Sequence, residues 1–203
     1  MTTIKKLHVH GFKSFAKSID IPLEKDFSVF LGPNGSGKSN IGDAICFVLG
    51  RLSSKSMRVE KASHLIYNGG KKNSPAKNAE VSIVFDNSNK TFPINSSEVT
   101  ISRIVNHNGN SIYKINNEIR TRQQVVDVLG AAKINPDGHN IVLQGDIVNF
   151  MNLKTEDRRE IIEDIAGISV YEDKKKKAMS ELEKVQQRLT EADIILTERE
   201  ANL

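Results

Sequence analysis

GPNGSGKS, residues 32–39, matches the phosphate-binding loop G-x-x-x-x-G-K-[ST] at every fixed position. Glycine at these positions lets backbone N–H groups turn toward an anion, because no Cβ stands in the way. Lys38 can reach the β- and γ-phosphates of a nucleotide, and the hydroxyl of Ser39 can bind Mg²⁺. The loop therefore predicts a site for a nucleoside triphosphate.

The sequence on both sides of the loop supports this prediction. Residues 27–31 (FSVFL) form a short apolar run that is typical of a buried strand. After the loop, apolar residues recur at helical spacing, and Gly50 can end the helix that they predict. These apolar residues are Ile41, Ala44, Ile45, Val48 and Leu49. A strand, a glycine-rich loop and a helix in this order point the helix N-terminus at phosphate.

Composition limits the class of protein. The chain has 203 residues, enough for one domain with a real core, and its formal net charge is +4. The single cysteine, Cys46, provides neither a disulfide framework nor a cysteine-rich zinc site. No stretch approaches 18 apolar residues, and the N-terminus lacks an apolar signal region. We therefore expect a soluble, cytoplasmic protein without a membrane partner.

Basic residues gather in one part of the chain, which we call the basic cluster. Its members are Arg51, Lys55, Arg58, Lys61, Lys71, Lys72 and Lys77. Between its ends Glu60 is the only acidic residue. Such a cluster can bind the phosphate backbone of a nucleic acid. On charge alone, a solvated loop region is an equally good explanation.

The rest of the first 150 residues mixes strands with a helix. We expect strands at residues 4–9, 19–23, 81–85, 99–105 and 111–115, the last two joined as a hairpin. Thr121 and Gln124 form a capping box that begins a helix. The pattern predicts an antiparallel region beside a parallel βα core around the phosphate-binding loop.

The chain lacks a convincing hydrolytic half for this loop. Residues 83–86 (IVFD) resemble a strand that ends in a Mg²⁺-binding Asp, but no Glu follows, and Asp86 is better explained as a strand end. Residues 141–146 (IVLQGD) end an apolar run in Gln144, whose amide oxygen can bind Mg²⁺ and orient water. On the residues alone, an ordinary polar strand end is the stronger explanation of Gln144.

Toward the C-terminus, one seam of positions alternates at spacings of four and three residues, which is typical of a coiled coil. The seam consists of Ala178, Leu182, Val185, Leu189, Ala192, Leu196, Arg199 and Leu203. A coiled coil needs a partner helix, and the sequence offers none. We therefore expect that the chain is cut from a longer protein or that its partner helix belongs to another chain.

Several motifs in a fixed order resemble one family, the SMC proteins, which are coiled-coil ATPases that organise chromosomes. Residues 11–15 (GFKSF) resemble the opening motif of the family, and residues 33–44 (PNGSGKSNIGDA) resemble its P-loop. Residues 142–146 (VLQGD) resemble its Q-loop, and residues 161–168 (IIEDIAGI) resemble the segment before the coiled coil. The resemblance covers essentially the whole chain and is strongest to archaeal and bacterial members.

The resemblance implies an α/β fold, the N-terminal half of a P-loop ABC-type ATPase head. Residues 1–154 would form the head lobe, a mixed sheet with an antiparallel β subdomain. Residues 155–203 would form a helical neck that leads into the coiled coil. In the family, the C-terminal lobe carries the signature motif and the Asp–Glu pair, so this chain alone would be inactive.

The resemblance also implies a function and partners. The complete head would be an ATPase that dimerises with ATP and acts in chromosome condensation and segregation through sequence-independent DNA binding. Its partners would be the C-terminal lobe of the same protein, a second head, a kleisin subunit at the neck and double-stranded DNA near the nucleoid. Two alternatives stay open, namely a double-strand-break repair ATPase of the same superfamily and a nucleotide-gated scaffold without significant hydrolysis.

Roles follow from the motifs that match. ATP would contact Gly32, Asn34, Gly35, Ser36, Gly37, Lys38, Ser39 and Asn40. Ser39 and Gln144 would bind Mg²⁺, and Lys38 and Gln144 would serve catalysis. Lys13 looks placed to meet the phosphates, and Arg58 resembles the arginine loop that couples ATP to DNA in the family, although a solvated arginine remains the alternative. DNA would contact Lys55, Arg58, Lys61, Lys71 and Lys72.

Overall fold

The computed structural model divides the chain into two compact units, residues 1–144 and residues 145–203. In the first unit the structure describes residues 2–25, 27–51, 57–70, 74–136 and 141–143. In the second unit it describes residues 154–155, 158–159, 162 and 169–201. Among these residues, no helix combines the length and the apolar character needed to cross a membrane.

The first unit is built on a six-stranded sheet. Its strands are β1 (Ile4–His10), β2 (Ile19–Pro22), β3 (Asn78–Asp86), β4 (Glu98–Asn106), β5 (Ser111–Ile115) and β6 (Glu118–Arg120). They lie in the order β2-β1-β3-β4-β5-β6, and every neighbouring pair is antiparallel. Five of the six predicted strands are confirmed, including the hairpin of β4 and β5, and the sixth, at residues 27–31, is not. The short edge strand β6 was not expected from the sequence.

The predicted parallel core around the phosphate-binding loop is wrong for the part of the chain that the structure describes. Residues 27–31 form no strand there, and Phe27 and Leu31 are 81% and 89% exposed. A buried parallel strand lies within a sheet, where neighbouring strands pair with it and helices cover both faces. None of the six strands pairs with residues 27–31. The apolar pattern of residues 27–31 therefore indicates a tendency to be buried, but among the described residues nothing buries them.

Among the residues that the structure describes in the first unit, two segments form α-helices. Helix α1 (Lys38–Val48) packs on β3 and β4, and Gly50 follows it with a φ of +97°, so the predicted helix end is confirmed. The predicted buried face is partly wrong, because Ile41 and Ile45 are only half-buried. The buried residues of α1 are Asp43, Ala44, Cys46, Phe47 and Val48. Contact with the sheet, and not apolar spacing alone, selects this face.

Helix α2 (Arg122–Ala131) confirms the predicted capping box. The hydroxyl of Thr121 accepts from the backbone N–H of Gln124, and the side chain of Gln124 accepts from the N–H of Thr121. Val125 and Leu129 are fully buried on the side facing the sheet. Local hydrogen bonding and one apolar stripe are therefore enough to specify this helix.

The connection from β3 to β4 turns around one buried side chain. Asn87 is 0% exposed, and its amide group donates to the carbonyls of Ile94 and Ser96 at 3.0 and 2.8 Å. The same side chain accepts from the N–H of Phe92. Asp86 accepts from Ser88, which confirms its interpretation as a strand end.

The second unit contains one long helix, α3 (Ser169–Ala201), of 33 residues. Its presence confirms the helical pattern that the sequence predicts for this region. The seam residues Leu182, Leu189 and Leu196 are 61%, 54% and 57% exposed. The pairing of this seam with another helix stays a prediction.

Candidate nucleotide site

The phosphate-binding loop leads directly into α1. Gly35 and Gly37 have φ values of +80° and +94°, in the left-handed region that side chains with a Cβ rarely adopt. Gly37 is also the N-cap of α1, and a Cβ added there would lie 3.0 Å from the hydroxyl oxygen of Ser14. Backbone conformation therefore favours glycine at both Gly35 and Gly37, and a Cβ at Gly37 would also crowd the hydroxyl of Ser14.

The N-termini of the two helices differ in how their free N–H groups are satisfied. The first N–H groups of any α-helix lack partners within the helix. Thr121 caps α2, whereas the N-cap of α1 provides no side-chain hydrogen bond, and its first turn contains no acidic residue. An uncapped helix that follows a glycine-rich loop leaves donors and the positive end of the helix dipole for an anion. The residues present at this end of α1 thus fit a phosphate group.

Lys38 lies against the inside of the loop that precedes it. Its ammonium group donates to the carbonyls of Gly32 and Pro33 at 2.6 and 2.8 Å. Both acceptors belong to the loop that would surround a phosphate, so the cation is already close to the predicted anion position. The contact of Lys38 with the phosphates of a nucleotide stays a prediction.

The other predicted loop residues are mostly exposed. Asn34, Gly35, Ser36 and Ser39 are open to solvent, as a ligand-binding loop requires. The amide of Asn40 donates to the hydroxyl of Ser14 at 2.8 Å, so this residue holds the neighbouring loop. Gln144 lies outside the residues that the structure describes, and its predicted role in Mg²⁺ binding stays a prediction.

Lys13 and Arg58 are brought together by a residue that the sequence interpretation missed. The ammonium of Lys13 donates to Oδ2 of Asp43 and to the carbonyl of Met57, both at 2.5 Å. The guanidinium of Arg58 pairs with the same oxygen of Asp43. The sequence did contain one signal that could have identified Asp43 as a functional residue, namely a lone carboxylate among the apolar positions of a helix. The predicted contacts of Lys13 and Arg58 with phosphate stay predictions.

The predicted DNA contacts are only partly within the described residues. Lys55, Lys71 and Lys72 lie outside them. Lys61 is exposed at the start of a short 3-10 helix (Ala62–Leu65), and the side chain of Arg58 is 47% exposed. The basic cluster as a DNA surface therefore stays a prediction.

At the other end of α1, a buried cation holds the helix to the sheet. The guanidinium of Arg103 on β4 donates to the carbonyls of Phe47 and Arg51 at 2.9 and 3.2 Å. It also lies between the rings of Phe47 and Tyr113, 4.3 and 4.9 Å from their centroids. Burial lowers the pKa of Arg103, because the charged form loses hydration. A cation at a helix C-terminus interacts favourably with the negative end of the helix dipole.

Comparison with protein families gives a match along almost the whole chain. Residues 3–198 match the family model described as RecF/RecN/SMC N terminal domain. Two similar curated proteins, both called Chromosome partition protein Smc, come from Pyrococcus furiosus and Aquifex aeolicus. The first is 49% identical over 199 residues, which are 98% of this chain and 17% of the relative. The second is 45% identical over 184 residues, which are 90% of this chain and 16% of the relative.

Two solved structures are similar in fold and sequence. One is an Smc head domain with an extended coiled coil from Pyrococcus furiosus, bound to the C-terminal domain of ScpA. It has a TM-score of 0.81 and 49% identity, and the match covers 98% of this chain and 50% of that chain. The other comes from work on ATP-driven dimerisation and DNA-stimulated activation of SMC ATPases. It has a TM-score of 0.75 and 50% identity, and the match covers 80% of this chain and 99% of that chain.

These matches agree with the geometry of the first unit, an antiparallel sheet with a phosphate-binding loop and helix on one side, which fits an α/β ATPase head. The chain spans only 17% and 16% of the length of the two curated relatives. The chain therefore belongs to the RecF/RecN/SMC family, in which it spans the N-terminal part of an SMC-type head.

Proposed function

We propose that this chain is the ATP-binding half of an SMC-type head that acts in the organisation and segregation of chromosomes. The observation that carries the proposal is the uncapped N-terminus of α1 behind Gly35 and Gly37, with the ammonium of Lys38 on the inner side of the loop. Free N–H donors, a helix dipole and one cation are together complementary to the phosphates of a nucleotide.

Each group at this site has a separate task in the proposal. The N–H groups of the loop bind phosphate oxygens, and Lys38 neutralises charge on the β- and γ-phosphates. Ser39, which is exposed in the first turn of α1, provides a hydroxyl oxygen for Mg²⁺, and Gln144 provides a second oxygen. When bound, Mg²⁺ would supply positive charge that offsets the negative charge of the phosphates during transfer of the γ-phosphoryl group to water.

Hydrolysis in this proposal needs a second lobe. Asp86, the carboxylate considered as a metal-binding strand end, accepts hydrogen bonds from Ser88 within its own turn. We propose that the C-terminal lobe of the same protein completes the head and that two heads bind two ATP molecules between them. The relative whose description mentions ATP-driven dimerisation supports this arrangement.

Partners and location follow as further proposals from the same family. A kleisin-type subunit would be one partner, a proposal supported by similar heads that are described in complexes with ScpA. Its place at the neck that contains α3 is proposed from the family resemblance. Double-stranded DNA would bind the basic cluster by its phosphate backbone, without regard to sequence and with an affinity that falls as salt rises. The complete protein would then act in the cytoplasm, on the nucleoid.

The experiment that tests the proposal measures binding of a fluorescent ATP analogue to the purified protein. The variant Lys38→Ala should abolish binding, because it removes the cation that faces the β- and γ-phosphates. Lys184→Ala is a matched control, since Lys184 is an exposed lysine on α3 that pairs with Glu181. Equal binding by wild type and Lys38→Ala would overturn the nucleotide site.

Single-turnover hydrolysis after addition of the C-terminal lobe separates an ATPase from a scaffold. We expect turnover by the two lobes together and none by this chain alone. Intact ATP binding without turnover in the completed head would favour the nucleotide-gated scaffold. Turnover by residues 1–203 alone that depends on Lys38 would contradict the two-lobe arrangement.

A further inference from the structure

Three consecutive residues of the loop at 11–15 pair with one face of α1. The pairs are Phe12 with Phe47, whose ring centroids are 5.3 Å apart, Lys13 with Asp43 at 2.5 Å, and Ser14 with Asn40 at 2.8 Å. Positions 40, 43 and 47 are three and four residues apart and therefore lie on the same side of a helix. The loop is docked along the helix that begins at the phosphate-binding loop.

Asp43 is the ionic member of these pairs, and it connects a third segment. It is 2% exposed, and its Oδ2 atom accepts from both Lys13 and Arg58. Lys13, with a side chain only 12% exposed, also donates to the carbonyl of Met57, the residue before Arg58. One buried carboxylate therefore joins α1, the 11–15 loop and the segment at 57–58 into one network.

The backbone supports the idea that this network is specified closely. Lys13 and Arg58 both have positive φ values, +47° and +58°. Non-glycine residues rarely adopt such values, and they persist where surrounding contacts over-determine the conformation. The two cations that share Asp43 are thus both held in unusual backbone conformations, a feature that is concentrated at functional sites.

We propose that Asp43 is a positioning residue of the nucleotide site, which holds Lys13 and Arg58 so that the half-exposed guanidinium of Arg58 can meet a bound triphosphate. Asp43 lies five residues after Lys38, about 7.5 Å along the helix axis. The three charged groups sum to a single positive charge near the phosphate-binding loop. In this arrangement Lys13 serves mainly as the buried link between Asp43 and the carbonyl of Met57. The inference rests on the proposed ATP binding.

The test is a double-mutant cycle in the purified protein, with binding of the fluorescent ATP analogue as the readout. Asp43→Asn and Arg58→Gln should each weaken binding about tenfold, a magnitude typical of residues that orient a ligand-binding group. The double variant should bind no more weakly than Asp43→Asn, because both changes remove the same contact. Asp127→Asn is the matched control, since Asp127 is an exposed carboxylate on α2 that pairs only with Gln123 among the contacts described.

Thermal denaturation separates positioning from a purely structural role. A structural role alone predicts that Asp43→Asn lowers the melting temperature and that its effect on binding adds to that of Arg58→Gln. Additive effects, or wild-type affinity in Asp43→Asn, would overturn the inference while leaving ATP binding in place. Absence of Lys38-dependent binding by the wild type would overturn the proposed function and the inference with it.

A second cycle keeps the inference testable if Asp43→Asn does not fold. Lys13→Met and Arg58→Gln each remove one of the two donors to the same oxygen and leave the carboxylate in place. Since the remaining cation still neutralises Asp43, these variants should fold. Non-additive losses of ATP affinity in this pair support the network, and additive losses contradict it.

Discussion

Replacing Arg103 by Met should weaken the attachment of α1 to the sheet. Arg103 is only 6% exposed. Among the residues that the structure describes, no carboxylate pairs with its guanidinium. Its partners are instead carbonyl groups at the end of α1, the hydroxyl of Ser111 at 3.1 Å, and the rings of Phe47 and Tyr113. Methionine keeps the aliphatic part of the side chain and removes only the charged donors.

The size of the effect follows from these contacts. A hydrogen bond from a charged donor contributes about 1.5–3 kcal/mol to stability, and a buried cation–π contact contributes up to about 2 kcal/mol. The variant also avoids the desolvation cost of a buried charge, which offsets part of the lost stability. We therefore expect the free energy of unfolding to fall by about 2–3 kcal/mol.

Urea denaturation followed by circular dichroism measures this change, and hydrogen exchange at the amides of α1 locates it. The control is Arg120→Met on β6, because Arg120 is an arginine with a 43% exposed side chain that pairs with Glu118. An exposed pair of this kind is worth about 0–1 kcal/mol. A loss for Arg103→Met no larger than that of the control would refute the idea that this cation holds α1.

Two further predictions concern the edge of the sheet and the long helix. The hydrogen bond from His8 is the main cause of the lowered pKa of Asp20. The ionised carboxylate of Asp20 therefore stabilises the fold fully above its unfolded pKa of about 3.9, and this stabilisation is lost as pH falls through the lower folded pKa. Melting temperatures of the wild type should accordingly fall more steeply below about pH 4 than those of Asp20→Asn, and parallel curves would contradict this. Leu189→Asp with Leu196→Asp should weaken pairing of α3 with its proposed partner helix and with the kleisin, as measured by pull-down, and should leave binding of the fluorescent ATP analogue unchanged. Gln187→Asp is the control, because Gln187 lies off the seam. Normal pairing by the double variant would contradict the coiled-coil prediction.

Features that depend on neighbours in the sequence were predicted well. The capping box at Thr121, the end of α1 before Gly50 and the hairpin of β4 and β5 all rest on contacts within a few residues. Alternation of apolar residues also placed β1 and β2, because successive side chains of a strand point to opposite faces of the sheet. These signals act over short distances and are visible in any single sequence.

Features that depend on distant residues could not be predicted. Asp43 is linked to Arg58 across 15 positions, and Arg103 reaches Phe47 across 56. A charged residue gives no sign in the sequence of which distant group will satisfy it once it is buried. The strand predicted at residues 27–31 is wrong for a related reason. Its apolar pattern indicates that partner strands are needed but does not identify them.

The sequence by itself determined the phosphate-binding loop, the order of the strands along the chain and the family, because these depend on residue types at fixed spacings. Tertiary structure alone decided which face of α1 is buried and which oxygen Lys13 and Arg58 share. It also decided that Arg103 binds the carbonyl groups at the C-terminal end of α1. The physical reason is that buried charges take their partners from whatever the folded sheet brings within reach, and that proximity is not encoded by local spacing.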